Sequence, residues 1–178
     1  KNYEILIRFV HFPLHPETPK EGKLLEELFR CGPEDVEAKN THMKNLMTAE
    51  GLQYNTRRYT YNSRLAQEIA KWAEIKMNSG IIHNKFFEAY FVYGRNIGDI
   101  EVIIDIIKTI GLCEEEARTV IAERSYKNAI DSDWAKSNNL GVSGVPTYVS
   151  NGQILTGAQP YHFLKELMDQ IGAEKKPR

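Results

Sequence analysis

Apolar and polar positions alternate with two different periods along the chain. Residues Tyr3 to Phe12 (YEILIRFVHF) are almost continuously apolar, interrupted by Glu4, Arg8 and His11. A short run this rich in β-branched and aromatic residues suits a strand buried on both faces. Pro13 and Pro16 end it. Gly22 to Arg30 reads as a short helix closed by Gly32. Pro33 then opens a longer helix at the favoured first helical position, with Gly51 as its stop. Leu52 to Tyr61 keeps no single period and predicts either a short strand or a loop.

From Asn62 the pattern is helical for about sixty residues. Asn62 or Ser63 can cap a helix that carries Leu65, Ile69, Trp72 and Ala73 on one face. A second helix is expected from about Ile81 to Tyr93, with Phe86, Phe87, Tyr90 and Phe91 at spacings that suit a core or a cleft wall. Asp99 caps a third, which carries Ile103, Ile104, Ile106 and Ile107 and stops at Gly111. Glu114 to Glu123 forms a fourth. Tyr126 to Leu140 is one further helix, with Ile130 and Trp134 on a stripe. The period then drops to two. Thr147 to Ser150 and Gln153 to Thr156 are paired strands around Asn151-Gly152, a strong two-residue hairpin signal. Pro160 opens a last helix, Tyr161 to Ile171, with Phe163, Leu164, Leu167 and Met168 as its apolar face.

A buried first strand needs sheet neighbours, and the hairpin is the natural candidate. The helical block between them therefore reads as an insertion into a small α/β domain. The expected division is 1–61 with 126–178 for the α/β domain, and 62–125 for the insertion.

Composition narrows the function classes. With 178 residues, 42% hydrophobic and 26% charged, the chain has the make-up of an ordinary globular domain. A formal charge of −1 gives no global attraction to nucleic acid or to an anionic membrane. No run approaches the ~18 apolar residues of a membrane span. Lys175, Lys176 and Arg178 form a basic tail that is expected to be solvated.

Candidate chemistry is sparse. Cys31 and Cys113 are the only cysteines; they match no CxxC or zinc-ligand spacing and are expected to be small buried hydrophobes in a reducing cytoplasm. His11, His15, His42, His83 and His162 are scattered without ligand spacing, so no metal site is expected. No Gly-rich phosphate loop occurs. Gly144-Val145-Pro146-Thr147, directly before the hairpin, is the remaining signal. A proline at the start of a strand is tolerated because it lacks only a ladder donor. Its peptide bond is open to either isomer, with trans the commoner for X-Pro bonds.

Three segments, in order, carry a resemblance. RFVHFPLHPETPKEG resembles the second strand and following loop of the DsbA-like branch of the thioredoxin fold. FFEAYFVYGRNIGD resembles its aromatic helix and glycine-containing turn, and GVSGVPTYVSNGQILTGAQP resembles its cis-proline hairpin. More closely, the segments resemble the DsbA-like branch with a helical insertion, the group that includes FrnE-type dithiol oxidoreductases and has relatives in 2-hydroxychromene-2-carboxylate isomerase and kappa-class glutathione transferase.

The resemblance implies an α/β, thioredoxin-like fold with an all-helical insertion, and a cytoplasmic thiol–disulfide oxidoreductase acting on protein or small-molecule thiols. No bound cofactor is implied; glutathione is an alternative substrate, for a glutathione-dependent isomerase or transferase. A non-catalytic peptide-binding protein of the same fold is a further alternative, and a homodimer is compatible with the aromatic content. Family members carry CxxC after a first strand. No residue of this chain is expected to be catalytic, and the cysteine pair is expected upstream of Lys1. The site residues implied are Val145, through its main chain, and Pro146, which would hold the edge. Gln159 matches in position a residue that binds the γ-glutamyl part of glutathione in kappa-class relatives, although those carry an acidic residue and an arginine there. Read without the resemblance, Gln159 is a helix-cap or solvent contact.

Overall fold

A computed structural model describes residues 3–176; Lys1 and the tail residue Arg178 lie outside the described residues. The chain divides into a terminal unit, Lys1–Leu14 with Asp131–Arg178, and a central unit, His15–Ile130. Each has its own sheet of two short antiparallel strands.

The central unit begins with β1 (Lys23–Leu24) and α1 (Leu25–Phe29), followed by α2 (Pro33–Ala49) and β2 (Tyr59–Thr60). Pro33 sits in the first turn of α2, and Asp35 accepts a bond from the Gly32 N–H at 3.3 Å, satisfying a donor the helix start leaves free. β1 pairs with β2 through Lys23↔Thr60 and Leu24↔Tyr59, so part of the aperiodic 52–61 segment is a strand. Gly22 has φ +92°, and a Cβ there would lie 2.6 Å from the Tyr61 ring. Only glycine fits that turn.

Next come α3 (Arg64–Met77), α4 (Ile81–Phe87), α5 (Ile100–Thr109) and α6 (Glu114–Glu123). Asp99 caps α5 as expected, accepting from the N–H groups of Glu101 at 2.8 Å and Val102 at 3.4 Å. At the start of α3 it is Asn62, not Ser63, whose side chain accepts, from the Arg64 N–H at 2.9 Å. The apolar faces of these helices enclose one core, with Ile69, Trp72, Ile82, Ile103, Ile104 and Ile107 almost wholly buried. Each such side chain contributes about 1.5–3 kcal/mol, and that packing holds the helices together.

Glu68 on α3 is only 3% exposed. It accepts from Arg64 Nε at 2.6 Å, and from Arg124 Nε and Nη2 at 2.7 Å each. Burial alone would push its carboxyl up; the Arg124 and Arg64 hydrogen bonds outweigh burial and hold it below the usual carboxylate range. The cluster ties α3 to the left-handed residue that ends α6.

One helix departs from expectation. The segment Ile81 to Tyr93 is α-helical only to Phe87; Glu88–Val92 is a π-turn, with the Tyr93 N–H bonded to the Glu88 carbonyl at 3.2 Å. Asn55 stabilises the widened turn. Its main-chain N–H bonds the Phe91 carbonyl at 2.9 Å and its side-chain amide the Val92 carbonyl at 2.6 Å. Phe86 is buried, but Phe87 is 57% exposed, so this aromatic set is only partly core.

α7 (Lys127–Asn139) leads into the terminal unit, which holds β3 (Thr147–Ser150), β4 (Gln153–Thr156) and α8 (Tyr161–Gln170). The hairpin register is Thr147↔Thr156, Tyr148↔Leu155, Val149↔Ile154 and Ser150↔Gln153. Asn151 and Gly152 both have positive φ, 47° and 76°, as a tight hairpin turn of the primed type requires.

The strand expected over Tyr3–Phe12 does not form. Tyr3 makes a single antiparallel bridge with Lys175, and the Glu4 N–H bonds the Glu174 carbonyl at 2.9 Å. Residues 4–10 then join no sheet among the described residues. A strand exists through a neighbour's hydrogen bonds, and without one the apolar run stays at the surface. Leu6 is 80% and Ile7 70% exposed.

Candidate functional site at the Val145 edge

The candidate site is built where the chain enters the hairpin. Gly141 ends the turn after α7 with φ 68°, and residues Gly144 to Pro146 run into β3. Around Val145, three hydrogen bonds fix the backbone. Thr147 Oγ1 donates to the Gly144 carbonyl at 2.7 Å. The Gly157 N–H donates to the Pro146 carbonyl at 2.8 Å, and the Gln159 amide donates to the Thr156 carbonyl at 2.8 Å. The Val145–Pro146 peptide bond, open to either isomer on composition, is cis.

Val145 itself is 53% exposed, and its N–H and C=O have no hydrogen-bond partner among the described residues. Fixed on both sides and open in the middle, it presents a short, immobile length of main chain. Such a segment can pair with one extended peptide in the manner of an added strand. Val145, Pro146 and Gln159 therefore fall within one short stretch around the hairpin, and Gln159 closes the turn from β4 through its own side chain. Val149 and Ile154, paired across the hairpin, are 41% and 49% exposed, so this edge is flanked by apolar surface.

The two cysteines lie in the central unit and do not pair. Cys31 is half-buried in a shallow depression with Phe29, Asp35, Lys39 and His42. Cys113 corrects the expectation of a buried hydrophobe: it is exposed, because it occupies the position before α6, outside the packed face. Its thiol donates to Glu115 at 3.1 Å, and that bond is the main cause that holds the Glu115 carboxyl below its ordinary range. Among the histidines, His83 is buried; desolvation lowers its affinity for a proton, with Glu74 opposing. Among the described residues no group of three or more His, Cys, Asp or Glu is placed to hold a metal ion.

The central unit also assembles a group that the sequence pattern does not reveal. Asn40 on α2 is buried and accepts from the Tyr54 hydroxyl at 2.7 Å. The same side chain bonds both main-chain groups of Arg57, the carbonyl at 3.0 Å and the N–H at 3.4 Å. The Arg57 guanidinium lies over the rings of Tyr90 and Phe91, 4.9 and 5.3 Å from their centroids, and donates to the Tyr90 hydroxyl. Tyr90 in turn donates to the Tyr59 carbonyl at 3.2 Å. Tyr61 meets Tyr90 edge-on and Tyr59 face to face. Arg57 sits in the one stretch with no period, and its partners are far apart in the chain, so no local signal marks them.

No helix among the described residues is long and apolar enough to cross a membrane. Comparison with known proteins places the fold. A probable DsbA oxidoreductase from Streptomyces coelicolor has a similar structure, with a TM-score of 0.83 and 24% identity over 93% of this chain and 74% of that one. The cytosolic disulfide reductase DsbM from Pseudomonas aeruginosa is similar at a TM-score of 0.54 and 17% identity, with 77% of each chain covered. At these identities the likeness is one of fold: an α/β thioredoxin-like architecture, rich in helices. No curated protein matches the chain. The family model described as the DSBA-like thioredoxin domain matches residues 1–169, nearly the whole length, and the chain belongs to that family.

Proposed function

We propose that this chain is part of a cytoplasmic thiol–disulfide oxidoreductase of the FrnE-type branch, acting on protein or small-molecule thiols and disulfides. Its CxxC pair is read as lying upstream of Lys1. The observation that carries the proposal is that Val145 is exposed and its main-chain groups are unpaired among the described residues, between hydrogen-bonded neighbours. A substrate segment lying along that edge would have its own backbone held while its sulfur meets the reactive thiol.

The chemistry needs two thiols. A thiolate attacks the substrate disulfide, forms a mixed disulfide and displaces the other substrate sulfur as a thiolate. The second thiol attacks that mixed bond, the substrate leaves reduced and the enzyme pair is left oxidised. Run in reverse, the same exchange oxidises a substrate dithiol. Cys31 and Cys113 are 82 positions apart in sequence and unpaired in the structure, so neither supplies a resolving thiol to the other. Glutathione, a short extended peptide with its own thiol, remains the alternative substrate. Gln159 supports that alternative weakly, because its amide is engaged with Thr156.

Insulin reduction by the gene product that includes the upstream segment tests the reading. Turnover is expected; a product that carries CxxC and shows none refutes it. Because the contact is main-chain, Val145→Ala should leave kcat/KM within about twofold. A peptide substrate N-methylated at the position facing Val145 should lose about tenfold, the value of one backbone hydrogen bond. Equal turnover of methylated and unmethylated peptides would remove Val145 from the site.

A further inference from the structure

Among the described residues Arg57 is a cation with no carboxylate partner. Elsewhere in the central unit Arg64, Arg95, Arg118 and Arg124 each hold a carboxylate, while Arg30 and Arg58 hold none among the described residues. Arg57 holds none among the described residues; its one acceptor is the neutral Tyr90 hydroxyl. Its Nε–H is buried and unpaired, and a buried donor without an acceptor is disfavoured. Packing alone does not account for this arrangement, since stacking on two rings needs neither the pinned backbone nor the free donors.

The surroundings are built to keep the guanidinium in place. Asn40, 7% exposed, grips the Arg57 main chain from both sides. The π-turn presents Tyr90 and Phe91 together, with ring centroids 4.7 Å apart, and π-turns recur at functional sites. Beyond them Tyr59, 42% exposed, lies nearly parallel to Tyr61 at 11° and 6.1 Å. A rigid arginine beside aromatic faces is pre-organised for a planar carboxylate attached to a flat apolar body.

We propose that Arg57, with Tyr90, Tyr59 and Tyr61, binds an aromatic carboxylate. The carboxylate meets the terminal guanidinium N–H groups that are not bonded to Tyr90, beside the buried Nε–H, and the ring lies against the tyrosines. This site involves neither the Val145 edge nor any thiol, and it stands or falls independently of the oxidoreductase reading.

The test is an NMR titration of the Arg57 Nε–H resonance in the ¹⁵N-labelled chain. Benzoate is expected to shift it saturably in the millimolar range, while benzamide and matched sodium chloride leave it unmoved. Arg57→Gln should weaken benzoate binding, followed on neighbouring amides, at least about tenfold. Exposed Tyr59→Ala should erase the preference for benzoate over acetate without changing the helical circular dichroism. N-acetylphenylalanine against its amide identifies the source. Binding of the acid at least about tenfold tighter than benzoate assigns a peptide carboxy terminus, and comparable binding assigns a free small acid. No saturable shift with benzoate up to about 100 mM, or an equal shift with chloride or benzamide, overturns the proposal. That comparison uses the unaltered chain, so it decides the matter even where a variant fails to fold.

Discussion

Replacing Glu68 by alanine tests how the central unit is held together. The substitution removes three charge-assisted hydrogen bonds, one from Arg64 and two from Arg124. Removing one partner of a buried ion pair destabilises by about 3–5 kcal/mol. Two features place this case at the low end. The Arg124 side chain is 41% exposed and can rehydrate, and Arg64 keeps its bond to the Lys127 carbonyl at 2.8 Å. We therefore expect a loss of about 3 kcal/mol. In urea, with an m value of about 2 kcal/mol/M, that moves the midpoint down by about 1.5 M.

Trp72, buried on the same helix, reports the transition by fluorescence in a Trp134→Phe background. The carboxyl titrates below its ordinary range when folded, so its contribution is complete above the unfolded carboxylate value and is lost as pH falls through the folded one. The gap between parent and Glu68→Ala should accordingly close in acid. A loss under about 1 kcal/mol at neutral pH, the worth of an exposed ion pair, would refute the view that burial makes this cluster structural.

Two further outcomes follow from the central unit. Gly98→Ala should lower stability by about 2 kcal/mol, because a Cβ there would lie 2.7 Å from the Asn62 carbonyl oxygen. Gly111→Ala, which meets nothing within 4 Å and bears only the strain of φ +77°, should lose about 1 kcal/mol; equal melting shifts for the two would discount the close approach. His83 binds its proton less readily folded than unfolded, so stability should decline as pH falls below the ordinary imidazole value of 6.5. His83→Gln should flatten that slope between neutral pH and about 5.5, and an unchanged slope would assign the loss to other groups.

Local signals marked most helices and the hairpin because those elements satisfy themselves locally. Asp99 before an isoleucine face, Pro33 after a glycine, and Asn151-Gly152 between alternating residues each act within a few positions. Tyr3–Phe12 failed for the opposite reason. Its composition states that both faces want burial, but pairing is settled by another segment, and here the apolar run lies exposed. Phe86, Phe87, Tyr90 and Phe91 fit an α-helix well enough that nothing local announces a widened turn; Asn55, far off in the chain, stabilises it. At the candidate site the hairpin residues were legible because one short segment contains them all. Arg57 was not, since its setting is assembled from α2, β2 and the π-turn. Cys113 was misjudged on residue type and not on position: the helix start at Glu114 was legible, but a cysteine's usual burial says nothing of a residue placed just before a helix, where it faces solvent.

The π-turn also bears on how this helix can change over generations. A π-turn holds one residue more than the α-turn it replaces, so deleting a residue within Glu88–Val92 lets the helix finish as α while α4 before it keeps its phase. The same deletion inside α4 would rotate everything after it by about 100° and drive Phe86 out of the core. Chain length can therefore vary in the last turn of this helix, which ends at Tyr93, without disturbing the turns before it. What such a deletion takes away is the double presentation of Tyr90 and Phe91 to Arg57, so a loss of that arginine's setting needs no substitution at the arginine itself.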